Sequence, residues 1–132
     1  MKNVATLTRN QMLVLKLLQK NKTPMVAYDI LESLNDQGFR APLQVYRALT
    51  KLIEFGQVHK LQSINAFVAC CHPDCKSQKV IAFMICNTCG EVNEIADHLM
   101  VKQIASAAKK ANFYLQNSVV ELRGNCVLCE AA

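Results

Sequence analysis

No apolar run in this chain is long enough to cross a bilayer as a helix, and no secretory signal is present. A cytoplasmic protein with no membrane partner is therefore expected. The common enzyme signatures are missing as well. There is no glycine-rich phosphate loop, no nucleophile elbow and no His-x-Glu beside a Pro-Cys-x-x-Cys of the kind zinc deaminases need. Neither catalysis nor a small-molecule substrate is expected. Tryptophan is absent, and neither an internal repeat nor a low-complexity segment appears. At 132 residues the chain has room for one or two small domains, not for two large cores.

The chain does contain cysteine, seven in all. An odd count without a secretory signal fits thiols kept reduced for metal better than a disulfide scaffold. Four of them form two Cys-x-x-Cys pairs, Cys86/Cys89 followed by Gly90, and Cys126/Cys129. Such a pair lets two thiolates reach one ion from a single tight turn, and glycine lets the backbone curl beneath it. Two pairs supply four soft ligands, the tetrahedral set of a closed structural Zn²⁺ site. The alternatives are an accidental spacing or a redox dithiol, which should open a helix after a strand, whereas Cys126 and Cys129 are expected on the frayed end of the chain. The 36 intervening residues have room for a strand, a helix and another strand.

Charge is unevenly placed. Residues 1–65 hold nine Lys/Arg against four acids, while residues 66–132 hold six of each. This asymmetry suits a first half that meets a polyanion. Thr8-x-x-Gln11 has the form of a capping box, and Leu13, Val14, Leu17 and Leu18 follow at helical spacing, predicting a helix over Arg9 to Lys20. Ala27, Ile30, Leu31 and Leu34 predict a second helix that stops before Gly38. Pro42 suits the first turn of a third helix with Val45, Leu49, Leu52 and Ile53 buried and Gly56 at its end. The opposite face of that helix presents Gln44, Arg47, Thr50 and Lys51, donors able to reach base edges or phosphates. Extended runs at 57–62 and 66–70, joined by Ser63-Ile64-Asn65, complete the order of a winged helix. The alternative is a plain three-helix bundle that binds protein.

The second half is expected to be α/β: strands at 80–85 and 91–95, a helix over 98–111 burying Leu99, Ile104, Ala107, Ala108 and Ala111, and a strand over 113–123. Cys70, Cys71 and Cys75 remain after the two pairs are assigned, with His59, His72 and Glu94 as further donors. A mixed His/Cys/carboxylate set suits a second Zn²⁺ that draws ligands from both halves. Otherwise His59 touches a phosphate, Glu94 is a solvated strand charge, and the cysteines form another structural knuckle.

Leu7-Thr8-x-x-Gln11, Ala27-Tyr28-Asp29, Val45-Tyr46-Arg47-Ala48-Leu49, Val58-His59-Lys60, Phe67-Val68-x-Cys70, Phe83-Met84-Ile85-Cys86-x-x-Cys89-Gly90-x-Val92 and Cys126-x-x-Cys129 together resemble the ferric uptake regulator (Fur) family, in its zinc uptake regulator (Zur) branch. The resemblance implies a dimeric, metal-dependent transcriptional repressor that binds double-stranded operator DNA. Its fold class would be α+β: a winged-helix DNA-binding domain, 1–66, followed by a small α/β dimerisation and metal-binding domain, 67–132. Two Zn²⁺ per chain are implied, a structural one on Cys86, Cys89, Cys126 and Cys129 and a regulatory one on His59, Cys70 and Glu94. The family's zinc regulators usually carry a further His before the first pair, where this chain has Ser77-Gln78-Lys79. Cys75 is the first substitute and His72 the second. The His-rich run of the iron- and peroxide-responsive branches is absent, which favours zinc over iron, manganese or peroxide sensing. DNA contact is expected from Tyr28, Gln44, Tyr46, Arg47, Thr50, Lys51 and Lys60. Many relatives have Thr-Val-Tyr-Arg where this chain has Gln44-Val45-Tyr46-Arg47, so Gln44 is expected to meet an adenine edge or a phosphate. The rival reading is a zinc-stabilised RNA- or protein-binding module.

Overall fold

The computed structural model describes residues 6–21, 23–70, 80–95, 97–116 and 118–131. The chain divides into two compact units, Met1–Cys71 and His72–Ala132.

The first unit starts with α1 (Arg9–Lys20), α2 (Ala27–Ser33), a single 3₁₀ turn (Asn35–Gln37) and α3 (Pro42–Glu54). The capping box at the start of α1 is formed. The Gln11 N–H donates to the Thr8 hydroxyl at 3.2 Å and the Thr8 N–H donates to the Gln11 carboxamide at 3.1 Å, which satisfies two groups the helix leaves over. α2 is shorter than its apolar spacing suggests. It tightens into the 3₁₀ turn before Gly38, whose φ of 100° reverses the chain where a side chain would be strained. Pro42 occupies the first turn of α3, and Gly56, at φ 74°, follows its last turn.

These helices enclose one core. Val14 and Leu18 from α1, Ile30 from α2, and Val45, Leu49 and Leu52 from α3 meet Phe39 of the connecting turn, each nearly or fully withdrawn from water. Burial of this kind contributes about 1.5–3 kcal/mol per large side chain. A hairpin follows, β1 (Val58–Leu61) and β2 (Ala66–Ala69), antiparallel in the register Val58 to Ala69 and Leu61 to Ala66. Asn65 turns it at φ 49°, a left-handed conformation that Asn tolerates. Met25 adds a further bridge to Phe67, each N–H donating to the other's carbonyl. Three helices and a hairpin wing are thus present in the expected order. The unit boundary falls later than residue 66 because Ala66–Ala69 pair with β1.

The second unit contains β3 (Val80–Cys86), β4 (Val92–Ile95), α4 (His98–Lys110), β5 (Ser118–Gly124) and α5 (Val127–Ala131). β3 is central, antiparallel to β4 and parallel to β5. A parallel pair needs a crossover, and α4 lies within it in sequence, its first turn capped by the Asp97 carboxylate, which accepts from the Leu99 and Met100 N–H groups. Two expectations change here. The last strand starts at Ser118 instead of Phe113, because the N–H groups of Ala111, Asn112 and Phe113 close the end of α4. No residue of α4 is fully buried: Ile104 and Ala108 are half-buried and Leu99 is 71% exposed, so the apolar face read from its sequence is only partly covered by the described residues.

Candidate functional site

The two Cys-x-x-Cys pairs meet at one end of the three-stranded sheet. Cys86 ends β3, and the chain turns beneath it through Gly90 at φ 80°, with the Gly90 N–H donating to the Cys86 carbonyl at 3.0 Å. β5 runs parallel to β3 with Gly124 opposite Cys86, so it delivers Cys126 to the same end. That pairing is the reason residues 40 apart in sequence converge. All four cysteines are free thiols, and their sulfurs lie within 4.8 Å of one another. A tetrahedral ZnS₄ centre with Zn–S of about 2.3 Å has a sulfur–sulfur edge of about 3.8 Å. Cys89 and Cys126 stand 3.9 Å apart, so the residues present fit a closed, four-thiolate Zn²⁺ site.

The second pair does open a helix after a strand, since Cys126 directly precedes α5, contrary to the expectation of a frayed end. The geometry still opposes a simple dithiol, because the Cys126 sulfur faces a cysteine of the other pair. A web of side chains that spacing alone does not reveal surrounds the site. The Thr88 hydroxyl donates to the Asn125 carboxamide at 2.9 Å, Asn125 donates to the Glu130 carboxylate at 3.2 Å, and Arg123 donates to Asn87 at 3.2 Å. The only signal for it in the sequence is the presence of small turn-forming amides beside the cysteines.

The Cys86 sulfur accepts the N–H groups of Cys89, at 3.5 Å, and of Cys126, at 3.3 Å. These donors bring its thiol down to about 6. Cys129 is pushed up to about 12, first by the Cys126 sulfur and next by that of Cys86. At neutral pH the metal-free site therefore holds a thiolate at Cys86 and a protonated thiol at Cys129. Zn²⁺ has to displace the protons that remain, so its apparent affinity should rise with pH and its uptake near neutrality should release fewer than four protons. Calorimetry in buffers of different ionisation enthalpy measures this. A pH-independent affinity between about pH 6 and 8 would contradict it.

Of the donors expected at a second metal, His59 is buried on β1 and Cys70 follows β2, its N–H donating to the Gln57 carbonyl at 2.8 Å. The extended hairpin brings their ligand atoms within 4.8 Å of each other. Cys70 would bind zinc as its thiolate. Glu94 lies on β4, opposite Phe83. Cys71, His72 and Cys75 lie outside the described residues.

The residues expected at DNA belong to the first unit. Tyr28, Tyr46, Arg47, Thr50 and Lys51 are exposed, and α3 carries the last four on successive turns. Thr50 donates its hydroxyl to the Tyr46 carbonyl at 2.8 Å, and Lys51 pairs with Glu54 at 3.5 Å. Both side chains of that pair are more than half exposed, so it contributes little to stability. On the wing, the Lys60 ammonium sits 5.8 Å above the Phe67 ring. Gln44 takes part in the start of α3. Its side-chain oxygen accepts the N–H groups of Arg40, at 2.7 Å, and Ala41, at 3.0 Å. That oxygen is spent on the start of α3, so a two-point contact with an adenine edge, which needs oxygen and nitrogen together, is not open to this side chain. Arg47, Thr8 and Lys51 line a cleft of about 580 Å³ with it.

The Ferric uptake regulator family matches residues 2–123. The zinc uptake regulation protein of Escherichia coli (strain K12) is 36% identical over 124 residues, 93% of this chain and 72% of that protein. The crystal structure of holo XcZur is similar at a TM-score of 0.87 and 39% identity, covering 98% of this chain and 90% of that one. A zinc uptake regulator complexed with zinc and DNA gives a TM-score of 0.87 at 33% identity, over 97% of this chain and 87% of that one. With a family match across nearly its whole length and the four cysteines drawn together at one sheet end, this chain belongs to the Ferric uptake regulator family.

Proposed function

We propose that this chain is a zinc-responsive transcriptional repressor, a regulator and not an enzyme, which binds operator DNA as a homodimer in the cytoplasm and represses zinc-uptake genes. The observation that carries this reading is its likeness, in both units, to a regulator complexed with zinc and DNA. The winged-helix order and the donor-rich face of α3 support it from the physical side. Among the described residues no helix is long and apolar enough to cross a membrane.

One Zn²⁺ is held by Cys86, Cys89, Cys126 and Cys129 and is structural. A second is regulatory, taken by His59 and Cys70 of the first unit with Glu94 of the second, and with Cys75, or failing that His72, as fourth ligand. Imidazole, thiolate and carboxylate together suit zinc. The homodimer rests on unpartnered apolar surface in the second unit. Met84 and Leu122 are neighbours in register on one sheet face and about half exposed, and Phe113 and Tyr114 are more exposed still. A unit of this size with so small a core gains stability by covering such a face with a second copy.

Arg47, Tyr28 and Tyr46 read the operator, while Thr50, Lys51 and Lys60 meet its backbone. An Arg47→Ala variant should lose roughly 1–3 kcal/mol of specific binding and relax preference at one position of each half-site. Lys51→Ala should weaken all sequences alike and flatten the salt dependence. Binding measured on specific and scrambled duplexes at several salt concentrations checks both. Equal loss on the two duplexes for Arg47→Ala would refute its base-reading role.

A further inference from the structure

Gln44 is the third residue of α3, where a glutamine or glutamate side chain reaches back to the backbone N–H groups ahead of the helix. Ala41, at the preceding cap position, has no hydroxyl, so only this returning half of a capping arrangement exists. The carboxamide cannot be turned over, because its NH₂ would then face two N–H donors at 2.7 and 3.0 Å. Its orientation is therefore set by the fold. The nitrogen has no hydrogen-bond partner among the described residues, and Gln44 lines the cleft together with Arg47, one helical turn on.

Resting on the DNA-binding reading above, we infer that Gln44 is a specificity-determining residue that acts as a donor only: it bonds one acceptor of the operator (a purine N7, guanine O6, thymine O4 or a phosphate oxygen) and makes no two-point contact with adenine. The same atom group thus serves two tasks. Its oxygen starts the helix and its nitrogen reads the ligand. Because the helix fixes the amide, the contact is pre-oriented before DNA arrives.

The test uses full-length, zinc-loaded protein and the duplex that it selects from a random library. Gln44→Glu keeps the capping oxygen, adds a negative charge that the start of a helix favours, and removes the donor. Gln44→Met removes both groups without adding charge. Gln44→Glu should melt at or above the parent temperature and Gln44→Met below it, while both bind the selected duplex roughly tenfold more weakly. A loss confined to one base position assigns the acceptor to a base, and a loss uniform across positions assigns it to a phosphate. Weakening by Gln44→Glu alone would reflect charge repulsion and overturn the inference. So would a lower melting temperature for Gln44→Glu, or parental binding by either variant. A preferred adenine that the parent, but not Gln44→Met, distinguishes from purine lacking the N6 amino group would overturn it too. If the parent selects no duplex at all, the DNA-binding reading itself fails.

Discussion

Cys129→Ser protein should lose its structural zinc, its dimer and the ordered sheet of the second unit. Among the described residues that unit buries few side chains, Val80, Ala82, Phe83, Ile85 and Cys86, all on one strand. With a core so small, a metal shared by the two cysteine pairs would add substantially to the strand pairing that joins the ends of β3 and β5. Four-thiolate zinc binding is worth about 10–16 kcal/mol, against a whole-domain stability of about 5–15 kcal/mol. Three thiolates and a hydroxyl form a poorer set, and Cys129 lies on α5, where its loss also frees the end of the chain. Metal analysis, circular dichroism and sedimentation together read the outcome. A Cys129→Ser protein that stays dimeric with unchanged thermal stability would sink the structural-zinc assignment.

His59→Ala, Cys70→Ser and Glu94→Ala should behave in the opposite way. They should remain folded and dimeric, retain the four-cysteine zinc, and fail to bind operator at zinc concentrations that saturate the parent. The proposed ligands come from both units, so zinc there favours one arrangement of the protein over others. A ligand shifts such an equilibrium only by its differential affinity, and a 100-fold preference is worth about 2.7 kcal/mol per site. Because Cys70 must be a thiolate to bind zinc, its oxidation should block loading. Cys75→Ser and His72→Ala, compared by zinc content, decide the fourth ligand: the true one loses about one zinc per chain and the other loses none. Operator binding by Cys70→Ser with unaltered zinc dependence would place the switch elsewhere.

Local physics made much of this protein legible before any coordinates. The capping box at Thr8 and Gln11, the 3.6-residue spacing of Val14 and Leu18, the Pro42 start of α3 and the turn through Asn65 all act within a few residues, and each reappears in the fold. The four-cysteine site was legible because the metal restricts which spacings work. What escaped depended on distant or neighbouring partners. The parallel pairing of β3 with β5, which delivers the second pair of cysteines to the first, is not stated by periodicity. Burial of Leu99 and Ala107 was expected from helical spacing, but a spacing pattern does not say whether the covering surface lies in the same chain. The use of the Gln44 oxygen by the backbone of Arg40 and Ala41 is likewise a local detail that a donor-rich helix face does not reveal.

The central claim is that zinc controls DNA binding through a second site. It is tested most directly by a duplex mobility-shift titration of reduced, purified protein across buffered free Zn²⁺, Fe²⁺ and Mn²⁺, with bound metal counted in parallel. The account predicts a shift that appears with Zn²⁺ as the second ion per chain is taken up and that Fe²⁺ and Mn²⁺ do not reproduce. A shift already complete with only the four-cysteine site filled, or one driven equally well by Fe²⁺, would contradict it.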